Sequence, residues 1–143
     1  MPPTNTDTAR AFLEAAFRND RDVGCQLIAD GYTYIDRTRG DVALTPEQLR
    51  QTAAEYHAAW SEQHIDIEHI METTDGTVIA QYRLTATHTG TYSSIPATGR
   101  RVTTSFCEIL RFDAEGRLVA EEAYYDVLSR LVQLGAVLRP GQD

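Results

Sequence analysis

The chain has 143 residues, 42% of them hydrophobic, which suffices for one well-buried core and is too short for two ordinary domains, so residues 1–143 read as a single domain. A formal charge of −8 argues against nucleic acid and against an anionic membrane as partners, because both reward clustered Lys and Arg, and Arg100–Arg101 is the only adjacent basic pair. No apolar run is long enough to span a bilayer, and MPPTNTDTAR lacks the basic-then-apolar layout of a signal peptide, so a cytoplasmic protein is expected.

In chain order, a first helix is expected from an N-cap at Asp7 to about Asn19, with Ala9, Phe12, Leu13, Ala16 and Phe17 as its apolar stripe. A second, weakened by Gly24, covers about Asp22–Ala29 and ends at Gly31. Tyr32–Asp36 reads as a short strand. Thr45-Pro46-Glu47-Gln48 is a helix start, with a Thr cap, Pro in the first turn and Gln three residues on. After Trp60 the period changes from helical to alternating. His64–Glu72 and Thr77–His88 form a hairpin around Asp75-Gly76, and two more strands flank the Asp113–Gly116 turn. A short apolar helix follows. Helices and then a mainly antiparallel sheet define an α+β fold, and a curved sheet wrapped around N-terminal helices leaves a small-molecule cavity at its open end. Cys25 and Cys107, one in a helix and one in a strand, read as small buried hydrophobes rather than a disulfide.

The acids carry the chemistry. Alternation puts Phe106, Glu108, Leu110 and Phe112 on one strand face and Glu121, Ala123 and Tyr125 on one face of the next. A carboxyl among apolar neighbours needs hydrogen bonds or a proton of its own. The competing reading of Glu108 is partnership with an Arg on a neighbouring strand; Glu122 points outward into solvent. Asp36 ends a strand next to Tyr34 and either serves as a base or caps a turn before Arg37. Asp126 lies where the last strand becomes a helix, so capping and catalysis compete. His88 extends the Tyr82–Leu84–Ala86 face as a base, a polar contact or a wall residue. Phe17, Tyr34, Trp60 and Tyr125 are expected in the pocket wall. The four histidines show no HxH or HExxH spacing, so neither a metal nor a cofactor is expected, and no phosphate loop or Gly-x-Ser-x-Gly elbow is present.

The blocks ATHTGTYSSIPATGRRVTTSFCEILRF and GRLVAEEAYYDVLSRLVQLG, with the opening AFLEAAFRNDRDVGCQLIADGYTYID, resemble the SnoaL-like polyketide cyclase branch of the NTF2-like superfamily over nearly the whole chain. The resemblance implies a cone-shaped pocket and a homodimer formed through the outer sheet face, where Ile109 lies. It places Asp36 where ketosteroid-isomerase-like members hold a general base, and Glu108 where they hold a protonated acid facing the developing oxyanion. Phe12 stands in place of their oxyanion-binding Tyr. Ala123 replaces an Asp essential to limonene-epoxide-hydrolase-like members. Ala120, Glu121 and Glu122 stand where SnoaL-like cyclases usually show Glu-His-Trp, and their terminal Asp is retained as Asp126.

The expected function is a cofactor-independent cyclase or isomerase acting on a hydrophobic, carbonyl-bearing, polyketide-like small molecule. Candidate catalytic residues are Asp36, Glu108, Glu121, Asp126 and His88; the candidate pocket comprises Phe12, Phe17, Tyr34, Trp60, Tyr82, Phe106 and Tyr125. Alternatives are ring opening or closing of an epoxide or ether on the same acid pair, or a non-catalytic binding module. Acids paired with Arg83 or Arg111 outside any cavity would favour the module.

Overall fold

The computed structural model describes residues 1–141 as four helices and one five-stranded sheet. Helix α1 spans Asn5–Phe17, one turn earlier than expected. Thr4 is the cap, and Asp7 closes the capping box from inside the first turn, with Asp7 N–H donating to Thr4 Oγ1 at 3.1 Å and Thr4 N–H to Asp7 Oδ2 at 3.0 Å. Helix α2, Arg21–Leu27, is capped by Asp20. It stops before Gly31, whose φ of +79° instead serves a kink within strand β1, Ile28–Asp36, where the pairing register shifts. Helix α3, Pro46–Ala59, begins with the expected Thr45 box. Strand β2 runs Trp60–Glu72, β3 Val78–His88, β4 Arg101–Phe112 and β5 Leu118–Tyr125; helix α4, Val127–Gln133, closes the sequence of elements.

The sheet order is β1-β5-β4-β3-β2, antiparallel except for the β1–β5 pair, and the sheet is curved and unclosed. Ala9 and Leu13 of α1 pack on Val78, Ala80, Tyr82, Leu110 and Leu118, so α1 covers the inner face. Burying side chains of this size stabilises the fold by about 1.5–3 kcal/mol each before entropy is counted. A smaller cluster joins Ala59, Trp60, Ala86, Tyr92, Val102 and Leu134 at one end. The connection after β3 rests backbone to backbone on the end of α3: Gly90 N–H donates to Ala59 O at 3.0 Å, and a Cβ there would come within 2.3 Å of Ala58 O. Only glycine fits that approach.

The outer face alternates as expected, with two corrections. Cys25 and Cys107 are exposed rather than buried, because Cys107 falls on the outer parity of β4 and Cys25 on an exposed side of α2. Glu122 is not simply solvated. It is half-buried and accepts from Arg37 at 3.1 Å and Arg111 at 3.3 Å, an ion-pair group that ties β1, β4 and β5 together outside the cavity. No helix among the described residues is long and apolar enough to cross a membrane.

Candidate active site

The register of the sheet builds the site in rows. Ala80, Glu108, Ala123 and Asp36 stand opposite one another across β3, β4, β5 and β1. The next row is Val78, Leu110, Glu121 and Tyr34; on the other side lie Tyr82, Phe106 and Tyr125. Paired residues share a sheet face, so all three acids reach the inner side. There they line one cavity of about 720 Å³, walled by Phe12, Phe17, Tyr34, Tyr82, Phe106 and Tyr125. The last three form a continuous stack, with ring centres 4.9 and 4.7 Å apart.

Glu108 and Glu121 are both buried and take phenolic donors rather than cations. Tyr82 donates to Glu108 Oε2 and Tyr32 to Glu121 Oε2. Burial raises the Glu108 carboxyl well above its ordinary range, and the charge and hydrogen bond of Glu121 push it the same way. A hydrogen bond between two carboxyls requires a proton on one of them. Glu108 Oε1 is buried without a hydrogen-bond partner among the described residues. Burial and the adjacent carboxylates hold Tyr32 and Tyr82 far above the usual phenol range, so both remain donors. Two carboxyls near one another in a dry site favour the protonated form of the one whose pKa is raised, here Glu108.

Asp36 is solvated differently. Its Oδ1 accepts from Thr38 N–H at 2.9 Å and Thr38 Oγ1–H at 2.7 Å, and its Oδ2 accepts from Tyr125 at 2.7 Å, with Arg39 at 3.7 Å. Arg37, the expected neighbour in a capping reading, turns outward to Glu122 and Asp41. Three hydrogen-bond donors and a guanidinium thus surround this carboxyl at the cavity wall. Burial, with Asp36 beside it, raises the Tyr125 phenol to about 12.

Three expected site residues lie elsewhere. His88 and Trp60 are absent from the cavity wall and stack on each other in the end cluster, ring centres 5.0 Å apart. His88 Nδ1 accepts from Thr98 N–H at 3.2 Å, and burial lowers its pKa, so the ring is a neutral anchor for the loop after β3. Its alternation was read correctly, but the inner face continues past the cavity into that cluster. Asp126 is exposed and caps α4, accepting from Ser129 N–H at 2.9 Å.

Two residues were not singled out in sequence. Tyr32, whose ring centre is 6.1 Å from that of Phe12, supplies a phenol beside the position where Phe12 has none. Arg130 lines the cavity from α4, 3% exposed and ringed by aromatic side chains. Its signal was present. Arg130 occupies the stripe Val127, Arg130, Leu131, Leu134, where helical spacing calls for an apolar residue.

The family profile described as SnoaL-like polyketide cyclase matches residues 6–134. The chain belongs to this family. AclR from Streptomyces galilaeus, a proposed hydroxylase, is 21% identical with a TM-score of 0.83, covering 94% of this chain and 87% of its own. IdmH from Streptomyces antibioticus, a proposed polyketide cyclase, is 23% identical with a TM-score of 0.79, covering 93% and 99%. A SnoaL-like protein from Jannaschia sp. CCS1 is 19% identical with a TM-score of 0.81, covering 94% and 93%. At these identities the likeness is one of fold. No curated protein matches the chain. The SnoaL-like fold here thus keeps the terminal Asp as a helix cap and concentrates its cavity acids on β1, β4 and β5.

Proposed function

We propose that the protein is a cofactor-independent cyclase or isomerase that enolises a hydrophobic, carbonyl-bearing, polyketide-like molecule. One observation carries the reading: a single, largely aromatic cavity holds Asp36, met by three hydrogen-bond donors, and the buried Glu108 and Glu121, each met by a phenol. In this reading the two acids, one ringed by hydrogen-bond donors and one buried among apolar side chains, divide base and acid roles. Arg83 and Arg111 do pair with acids outside the cavity, Glu68 and Glu122, but neither pairs with the cavity acids Asp36, Glu108 or Glu121.

Asp36 takes a proton from the carbon next to a carbonyl. The C–H electrons become the enolate double bond, and the carbonyl π electrons move to oxygen, which accepts the hydrogen bond of Glu108. The enolate carbon then bonds to a second carbonyl, whose π electrons move to its oxygen and take up the proton held by Asp36, closing a ring; in the isomerase alternative Asp36 returns that proton at a different carbon. Glu121, held by Tyr32, stands beside Glu108 and helps keep it protonated. The aromatic stack excludes water from the enolate.

Proton abstraction can be read without the natural substrate. In D2O, 2-tetralone should lose its benzylic α-protons to deuterium faster with the enzyme than in buffer, followed by proton NMR. Asp36→Asn should lower that enzymatic exchange by about a hundredfold or more, the low end of general-base catalysis. Exchange equal to buffer, or undiminished in Asp36→Asn, sinks the reading.

A further inference from the structure

Arg130 is a buried cation with no anion. Its Nε–H donates to Thr104 Oγ1 and an Nη1–H to Tyr92 Oη, both at 3.1 Å. Its guanidinium carbon lies 4.8 Å from the ring centre of Tyr125, 5.4 Å from Tyr92, and 5.6 Å from both Trp60 and Phe106. Among the described residues no carboxylate pairs with it. A guanidinium carries five N–H donors and stays charged, so three donors, including both on Nη2, are uncommitted at the cavity wall. Aromatic faces offset part of the cost of burying a cation, but they neither neutralise it nor use its planar fork.

We propose that Arg130 anchors a carboxylate on the molecule that fills the cavity, so that the substrate is an aromatic or polyketide acid. The proposal rests on the enolisation reading in one respect, that the occupant is the substrate. The fork matches a carboxylate's two oxygens, and an acid entering this site supplies the missing counter-charge. The other cavity arginines, Arg21, Arg39 and Arg50, are exposed at the rim, and Arg39 and Arg50 already face Asp36 and Glu47. The anchor is also placed for chemistry. The Tyr125 ring lies under Arg130 while its hydroxyl holds Asp36, so an acid held at Arg130 extends past one ring to the base.

The test is calorimetric titration with 2-naphthoate and its neutral isostere 2-naphthamide. The wild type should bind the acid at least tenfold more tightly than the amide. Arg130→Met should lose that preference while holding the amide within about twofold, and Arg130→Lys, which keeps the charge without the fork, should fall between. Should the methionine variant not fold, the wild-type acid-to-amide ratio and the lysine variant still decide. Equal affinity for acid and amide, no binding of the acid at millimolar concentration, or a preference that survives in folded Arg130→Met overturns the proposal. A clear preference for the acid without any exchange of 2-tetralone would leave the anchor standing and remove the enolisation reading.

Discussion

Asp36 and Glu108 stand in one cross-strand row with only Ala123 between them. Ala123 is 1% exposed and contributes a single methyl group, so the space over it lies between the proposed base and the proposed acid. A substrate carbon and its carbonyl oxygen fit that gap only while residue 123 stays small. Ala123→Leu should therefore weaken 2-naphthamide binding by about tenfold or more, with a stability change under about 3 kcal/mol. Calorimetry and thermal melts read the two effects separately; unaltered binding would place the occupant elsewhere in the cavity.

Glu108→Gln retains a hydrogen-bond donor, though a less acidic one, whereas Glu108→Ala leaves none. A donor to a developing oxyanion is typically worth on the order of 3–4 kcal/mol, so the alanine variant should exchange 2-tetralone about a hundredfold more slowly or worse. The glutamine variant should lose less. The reverse order would assign the donor role to Tyr32 or Tyr82.

The same residue sets a pH dependence of stability. Its pKa is raised in the folded state by burial and by Glu121, so above the ordinary glutamate range the folded chain keeps a proton that the unfolded chain releases. Stability from this group therefore falls as pH rises from about 4.5 towards the folded pKa. Glu108→Gln removes the liability. Its melting temperature should exceed that of the wild type at pH 8 by more than at pH 5, with roughly 4 °C for each 1 kcal/mol. Parallel curves for the two proteins would contradict a protonated Glu108.

Asp126 and His88 should affect stability and not proton exchange. Asp126→Ala removes the α4 cap, a loss of about 0.5–2 kcal/mol. His88→Leu removes the ring nitrogen that accepts from the part-buried Thr98 N–H, a loss of about 0.5–1.5 kcal/mol. Denaturant titration gives the first quantity and NMR exchange of 2-tetralone the second. A tenfold fall in exchange for either variant would return that residue to the chemistry.

The strands and the acids on their inner faces were legible because alternation is local: one residue's parity fixes which side of β4 Glu108 occupies, and Glu121 follows the same rule on β5. What alternation does not reveal is how far along a face the cavity extends. His88 and Trp60 lie on buried positions but beyond the cavity's end, a limit set by where α3 and α4 meet the sheet. That Glu108 and Glu121 stand diagonally on neighbouring strands depends on β4–β5 register, and the donation from Tyr32 depends on the bulge in β1; both are long-range facts. Arg130 was readable as an anomaly in a helical stripe, yet short helices with one charged residue are common. Only its aromatic surroundings, drawn from β2, β4, β5 and the loop after β3, give the anomaly meaning.

Trp60 is the sole tryptophan of the chain, and its ring centre lies 5.6 Å from the Arg130 guanidinium carbon. A positive charge beside an indole shifts the energy of its excited-state dipole, and an anion arriving at that charge cancels part of the field. Emission from this one fluorophore thus registers the electrostatic state of the cavity wall, although the indole itself stays out of the cavity. The protein carries an optical gauge of its own occupancy, suited to screening acids without a label and without knowledge of the reaction.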